Sequence, residues 1–164
     1  MSKKNDRKEK TNAVRMIEKA GVEYRLISYD AGGDFVSGTD VAKKTGTPED
    51  RCFKTLVTCG NSGEHYVFCI PVNRELDLKK AARHFGEKKV EMIHEKELLG
   101  LTGYIKGGCS PVGMKKPFLT CIDASCEGAE TIVVSGGKRG LHVELDPEDL
   151  AMICSADFDE ISKK

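Results

Sequence analysis

Cys52-Phe53-Lys54-Thr55-Leu56-Val57-Thr58-Cys59-Gly60-Asn61-Ser62-Gly63-Glu64-His65-Tyr66-Val67-Phe68-Cys69-Ile70-Pro71 reads as two strands joined by a turn. Strands are predicted over Cys52–Cys59 and Tyr66–Pro71. The link Gly60-Asn61-Ser62-Gly63-Glu64 has hairpin chemistry. Alternation puts Phe53, Thr55 and Val57 on one face, and Lys54 and Leu56 on the other. A lysine inside an apolar strand is unusual, because burying an unpaired ammonium is costly. Lys54 should therefore face a cleft, or pair with a carboxylate or a ligand phosphate. The plainer alternative is an edge lysine leaning into solvent.

Upstream, Thr11 is placed to cap a helix that Gly21 stops, with Val14, Ile17 and Glu18 at helical spacing. Glu23–Ser28 alternates polar and apolar residues and reads as a strand. Asp30–Gly38 is a glycine-rich loop, and Thr39 caps a short helix that ends at Gly46. Downstream, Asp77 caps a helix through Phe85, with Leu78, Ala81, Ala82 and Phe85 on one face. Val90–Ile93 is a strand candidate, and His94–Leu99 a short helix stopped by Gly100. Further strands are predicted over Gly103–Ile105, Phe118–Asp123, Thr131–Ser135 and Leu141–Leu145. Asp146 caps the last helix, with Pro147 at its first position and Leu150 and Ile153 on its core side. Helices and strands mix without strict βαβ alternation, so the fold class is α+β around a mixed sheet.

The 164 residues suit one domain. Residues 1–10 carry five basic and two acidic residues and read as a flexible basic tail, leaving a domain over 11–162. At 39% apolar the chain can bury a core, so wholesale disorder is excluded. No apolar run of about 18 residues occurs and the N-terminus has no apolar segment, so a cytoplasmic protein without membrane contact is expected. The seven cysteines form no C-x-x-C pair, which excludes a zinc ribbon or a thioredoxin motif and leaves reduced, mostly buried thiols. His65, His84, His94 and His142 show no ligand spacing and no H-E-x-x-H occurs, so no metal site is expected, and with neither a complete P-loop nor a G-x-G-x-x-G motif no cofactor is expected. The net charge of zero hides two blocks. Lys79–Lys116 holds nine Lys/Arg against four Glu, and Thr120–Glu160 ten Asp/Glu against two Lys/Arg. The basic middle either guides a phosphate backbone or merely solubilises helix surfaces.

Two glycine clusters could carry chemistry. Gly107-Gly108-Cys109-Ser110-Pro111-Val112-Gly113 has the glycine spacing of a P-loop, but Met114-Lys115 replaces its Gly-Lys. It can be an anion or carbonyl cradle, or simply a tight turn. Val134-Ser135-Gly136-Gly137-Lys138-Arg139-Gly140 joins two predicted strands and combines free backbone, a hydroxyl and two cations; the alternative is an ordinary hairpin tip. No G-x-S-x-G elbow supports a serine hydrolase.

The ordered set is more specific than any member. Phe53-Lys54-Thr55-Leu56, Leu76-Asp77-Leu78-Lys79-Lys80, Lys88-Lys89-Val90-Glu91-Met92, Thr102-Gly103-Tyr104, Gly107-Gly108-x-Ser110-Pro111-x-Gly113 and Val134-Ser135-Gly136-Gly137-Lys138-Arg139-Gly140-Leu141 follow in one order. Over residues 11–162 this resembles the YbaK/EbsC family of aminoacyl-tRNA deacylases, most of all its Cys-tRNA(Pro)-clearing branch. The resemblance implies a mixed, partly barrel-like sheet with flanking helices. It also implies trans-editing of Cys-tRNA(Pro), and of Cys-tRNA(Cys), through cyclisation of the substrate's own thiol. The implied partners are the aminoacylated tRNA 3′ end and prolyl-tRNA synthetase, with no DNA.

Residue by residue, Lys54 matches the lysine that meets the terminal adenosine and its phosphate, with Thr55 beside it. Gly108 matches the glycine whose backbone contacts the ester region, and Ser135 the serine that orients the aminoacyl group. Lys54, Gly108 and Ser135 are the implied catalytic set. Tyr29, Thr55, Ser110 and His142 are the implied substrate contacts. Phe35 lies two residues before Ser37-Gly38, where relatives bring an aromatic close, and His142 stands where the branch often has Asp. Those departures keep an Ala-tRNA(Pro) deacylase open as an alternative, beside a non-catalytic module binding a tRNA end or a synthetase.

Overall fold

The strand His65–Pro71 is buried on both faces, and the molecule is built outward from it. The computed structural model describes residues 10–32 and 37–164; the basic segment 1–9 and residues 33–36, with Phe35, lie outside the described residues. In chain order the elements are α1 Asn12–Ala20, β1 Tyr24–Ser28, α2 Gly38–Thr45, β2 Phe53–Gly60, β3 His65–Pro71 and β4 Glu75–Leu76. There follow α3 Leu78–His84, β5 Val90–Met92, α4 Glu95–Thr102, β6 Leu119–Asp123 and β7 Ile132–Lys138. The chain ends with β8 Leu141–Leu145, α5 Pro147–Cys154, β9 Asp157–Asp159 and β10 Ser162–Lys163.

The larger sheet runs β5-β2-β3-β6-β9, antiparallel from β5 to β3 and parallel from β3 to β9. The predicted hairpin is its centre, with Lys54 opposite Ile70 and Leu56 opposite Phe68. A second sheet, β1-β8-β7, is antiparallel throughout, and β4 pairs with β10 in a third. A bridge between Cys52 and Val133 joins the start of β2 to β7. Among the described residues the sheets do not close into a barrel. The α+β class with a mixed sheet and flanking helices holds.

Alternation along β3 divides two cores. Val67 and Cys69 face a core shared with Phe53, Val57, the second sheet and α1, while Tyr66, Phe68 and Ile70 face a second core under α3. Val14 and Ile17 of α1 are fully buried, each contributing roughly 1.5–3 kcal/mol. Beneath β10, the buried carboxylate of Asp123 accepts the backbone N–H of Ile161 and Ser162 and pins the C-terminal strand.

Several predicted boundaries are corrected. Ser37, not Thr39, caps α2, its Oγ accepting the Asp40 N–H. Helix α4 runs through Gly100 to Thr102, whose hydroxyl donates to Leu98 O. Gly103, at φ +83°, is its true stop, because the reversal of the chain there requires the left-handed conformation. The strand expected over Gly103–Ile105 does not form. Strands β9 and β10 escape sequence reading, since partner strands hold them in place of an apolar pattern of their own.

Candidate active site

Strand β5 pairs with β2 only at Thr58–Gly60. Among the described residues the side of Lys54–Leu56 away from β3 therefore carries no ladder partner. The second sheet brings β7 and β8 alongside this open edge, and a cavity of about 240 Å³ lies between them. Tyr29, Lys54, Thr55, Ser135 and His142 all line it.

Each side chain is fixed by its element. Ser135 and His142 are direct cross-strand partners, and the β7–β8 ladder is interrupted just after them, between Ser135 and Lys138. Inside that bulge the Ser135 Oγ accepts the Gly137 N–H at 3.2 Å. The Thr11 hydroxyl donates to Gly136 O, so the cap of α1 also holds the bulge. Tyr29 donates its N–H to Gly140 O at 2.9 Å and sets its ring edge against His142, with centroids 5.0 Å apart.

The loop over residues 105–109 forms the facing wall. Gly107 and Cys109 line the cavity. Gly108 between them is buried, and its N–H donates to Ile105 O at 2.9 Å. A Cβ at Gly108 would come within 3.0 Å of the Lys138 and Arg139 backbone. Arg139 Nε closes the contact by donating to Lys106 O at 2.9 Å. So the amide of Gly108 is already spent, and its missing side chain is what lets the two glycine clusters touch. Ser110 is not brought to the cavity. It is fully buried, and its Oγ accepts the Val112 N–H in a local turn.

Electrostatics separate the two nitrogen bases. Burial holds the Lys54 ammonium below its ordinary range, and the opposing field of Glu75 only partly restores it. Among the described residues Lys54 makes no ion pair. His142 is 8% exposed, its Nδ1 has no hydrogen-bond partner among the described residues, and burial pushes it down to about 4. The imidazole is therefore neutral near pH 7. Among the described residues neither thiol lining the cavity is activated: burial pushes Cys52 up to about 11 and Cys109 up to about 12.

His142 should imprint itself on acid stability. Between pH 6.5 and about 4 the unfolded chain protonates this histidine and the native chain does not. Its contribution is complete above the unfolded value and is lost as the pH falls toward the folded one. In urea melts, the stability lost between neutral pH and about pH 4 is expected to be smaller in His142→Gln than in wild type by about 3 kcal/mol. Equal losses would mean that His142 titrates normally.

Sequence reading missed Gly38, Val41 and Val72, which also line the cavity. Only Gly38 carries a sequence signal, as the last residue of the glycine-rich stretch Asp30–Gly38; in the fold a Cβ there would meet Val72 Cγ1 at 2.7 Å. One cluster suits a metal by residue type, with ligand atoms of His84, Cys121 and Asp157 within 4.8 Å of one another. The two ring nitrogens of His84 are already engaged by Asp157 and Asp159, each at 2.8 Å. Among the described residues no helix is long and apolar enough to cross a membrane.

Residues 36–153 match the aminoacyl-tRNA editing domain. The chain is 46% identical to EbsC of Enterococcus faecalis, provisionally named a Cys-tRNA(Pro)/Cys-tRNA(Cys) deacylase, over 100% of this chain and 99% of that one. It is 28% identical to proline–tRNA ligase of Pelobacter propionicus over 75% of this chain, which is only 22% of the ligase. Among solved structures it resembles the hypothetical protein APE2540, with a TM-score of 0.84 at 23% identity over 93% of this chain and all of that one. It also resembles a protein provisionally described as a trans-editing enzyme for prolyl tRNA synthetase, with a TM-score of 0.80 at 22% identity over 100% and 99% of the two chains. At those identities the two structures attest the fold.

Proposed function

This chain belongs to the aminoacyl-tRNA editing domain family, and on that premise we propose that it deacylates Cys-tRNA(Pro), and Cys-tRNA(Cys), in the cytoplasm. The observation that carries the reading is a cavity with a half-buried cation at its wall, polar groups around it and, among the described residues, no activated thiol. Such a site suits a substrate that brings its own. The cysteinyl thiol loses its proton and its sulfur attacks the ester carbonyl of the same residue. A C–S bond forms, the C–O bond to the tRNA breaks, and the 3′ oxygen leaves and takes up a proton. The products are a β-thiolactone and free tRNA.

The protein then has only to orient the ester, and well-placed intramolecular groups reach effective molarities of ~10⁵–10⁸ M. In this reading Lys54 meets the terminal adenosine and its phosphate, with Thr55 beside it. Ser135 orients the aminoacyl group; among the described residues nothing accepts its hydroxyl proton. Tyr29 and His142 close one wall, and Gly108 lets the facing loop lie close against the β7–β8 turn. Ser110 acts on the loop from behind. The likeness to a segment of proline–tRNA ligases supports prolyl-tRNA synthetase as the partner that presents the tRNA.

The test is hydrolysis of labelled Cys-tRNA(Pro) and Ala-tRNA(Pro), with and without prolyl-tRNA synthetase. The cysteinyl ester is expected to be cleared faster, and Ser-tRNA(Pro), which lacks the soft nucleophile, far more slowly. Faster loss of alanine would replace this reading by an Ala-tRNA(Pro) deacylase that uses water. Binding without turnover would leave only a tRNA-end module.

A further inference from the structure

The cavity does not end at Lys54. Lys54 and Leu56 also line a second, open groove of about 680 Å³, bounded by β4, the start of α3 and the end of β5. Its floor is apolar and exposed: Leu78 is 42% and Met92 45% accessible. Its carboxylates are engaged, Asp77 by the N–H groups of Lys79 and Lys80, and Glu75 by Lys163 at 3.9 Å.

Helix α3, which borders this groove, is electrically two-sided. Lys80 pairs with Glu160 at 3.4 Å, and His84 with Asp157 and Asp159. These contacts set Asp157, Asp159 and Glu160 of the acidic C-terminal block against one face of the helix. Lys79 and Arg83 lie one turn apart on another face. Both are exposed, and neither has an ion pair among the described residues. Lys79 lines the groove. The fold thus spends one pair of basic groups on itself and leaves the other pair exposed, Lys79 on the groove and Arg83 one turn further along the same helix.

We propose that this groove, with Lys79 and Arg83, is the subsite for the single-stranded nucleotides that precede the terminal adenosine of the acceptor end. This rests on the reading that the cavity takes the aminoacylated adenosine. Aliphatic side chains such as Leu78 and Met92 can pack on base faces, and cations pair with the phosphates of a single strand. Continuity through Lys54 gives the strand one path from cavity to helix surface.

The experiment compares cysteinyl-tRNA(Pro) with 2′(3′)-O-cysteinyl-adenosine, which lacks those nucleotides, in the absence of synthetase. In Lys79→Ala/Arg83→Ala, the ratio of kcat/KM for the tRNA to that for the nucleoside is expected to fall about tenfold. The slope of log kcat/KM against log salt for the tRNA should flatten by ~0.7 per lost phosphate contact. Anisotropy of a short labelled RNA ending in C-C-A should report weaker binding to the same variant. Lys88→Ala/Lys96→Ala, of equal charge but outside the groove, serves as the control. The subsite is refuted by an unchanged ratio, by an equal fall in the control, or by a loss that appears only once synthetase is added, which would make the surface a protein contact. If wild type cleaves neither ester, the deacylase reading fails instead, and RNA binding by the two double variants alone decides the subsite.

Discussion

Replacing Lys54 with methionine is expected to cut deacylation of Cys-tRNA(Pro) about a hundredfold or more, while leaving the protein at least as stable as wild type. The two halves of that expectation have one cause. Lys54 sits half-buried on the face of β2 that turns toward the second core, at the junction of cavity and groove. Its folded pKa lies below the ordinary 10.5 because burial disfavours the charge more than Glu75 restores it. A base whose pKa falls on folding costs stability wherever the unfolded chain is protonated. That cost is present at neutral pH and is relieved only as the pH climbs toward the unfolded value. Methionine keeps an unbranched apolar stem against Leu56 and removes the charge. A lysine held for structure would behave in the opposite way, losing stability with the ammonium. Comparing thermal midpoints with single-turnover rates decides the matter. Full activity in Lys54→Met would remove Lys54 from the site, and a large drop in midpoint would make it a structural residue. Lys54→Arg, which keeps a cation with different geometry, should recover only part of the rate.

The same strand shows how far the residues alone could be read. The hairpin was legible because two signals agreed, alternation with period 2 and turn residues between the strands. The faces of Phe53 and Val57 on one side and Leu56 on the other follow directly and hold in the two cores. Strand β8 was legible at its true bounds for the same reason. Helix α4 was cut short because Gly100 reads as a stop, whereas a glycine in a helix costs only ~1 kcal/mol and the next turn recovers it. Strands β9 and β10 had no pattern to read, since Asp157-Phe158-Asp159 is ordered by β6 beside it and by His84 of α3.

The site was legible as a set of motifs and not as a geometry. Nothing in the spacing says that Tyr29, Lys54 and His142 share one cavity. That follows from β7 coming to lie beside β2, a contact between segments far apart in the chain. Charge behaves similarly. The basic block from Lys79 to Lys116 was visible by counting, but which of its cations are neutralised depends on the fold. Lys80, Lys89 and Lys106 have carboxylate partners at 3.4, 2.7 and 3.5 Å. A protein of zero net charge can thus present a short cationic track where, among the described residues, its cations have no carboxylate partner.

Gly108 carries the second large expectation, because what matters there is an absence. Its position reads as a backbone cradle, yet its N–H is committed to Ile105 O. A methyl group at Gly108 would meet Lys138 Cα at 2.9 Å, and the Arg139 nitrogen and Lys138 carbonyl carbon at 3.0 Å. These are backbone atoms of the β7–β8 turn and cannot swing aside like the end of a side chain. Gly108→Ala must therefore push the loop carrying Gly107 and Cys109 away from the bulge that carries Ser135. Overpacking of this kind costs about 1–3 kcal/mol. A displacement of ~1 Å at an orienting wall costs about a hundredfold in rate. Both losses are expected in this variant, with the rate loss persisting well below the melting temperature. Gly100→Ala is the matched comparison. Gly100 lies inside α4 with open space where a Cβ would go, so the same methyl should stabilise by ~0.5–1 kcal/mol and leave the rate unchanged. If Gly108→Ala melts and turns over like wild type, the two glycine clusters do not depend on each other, and the narrow wall between them is not what orients the ester.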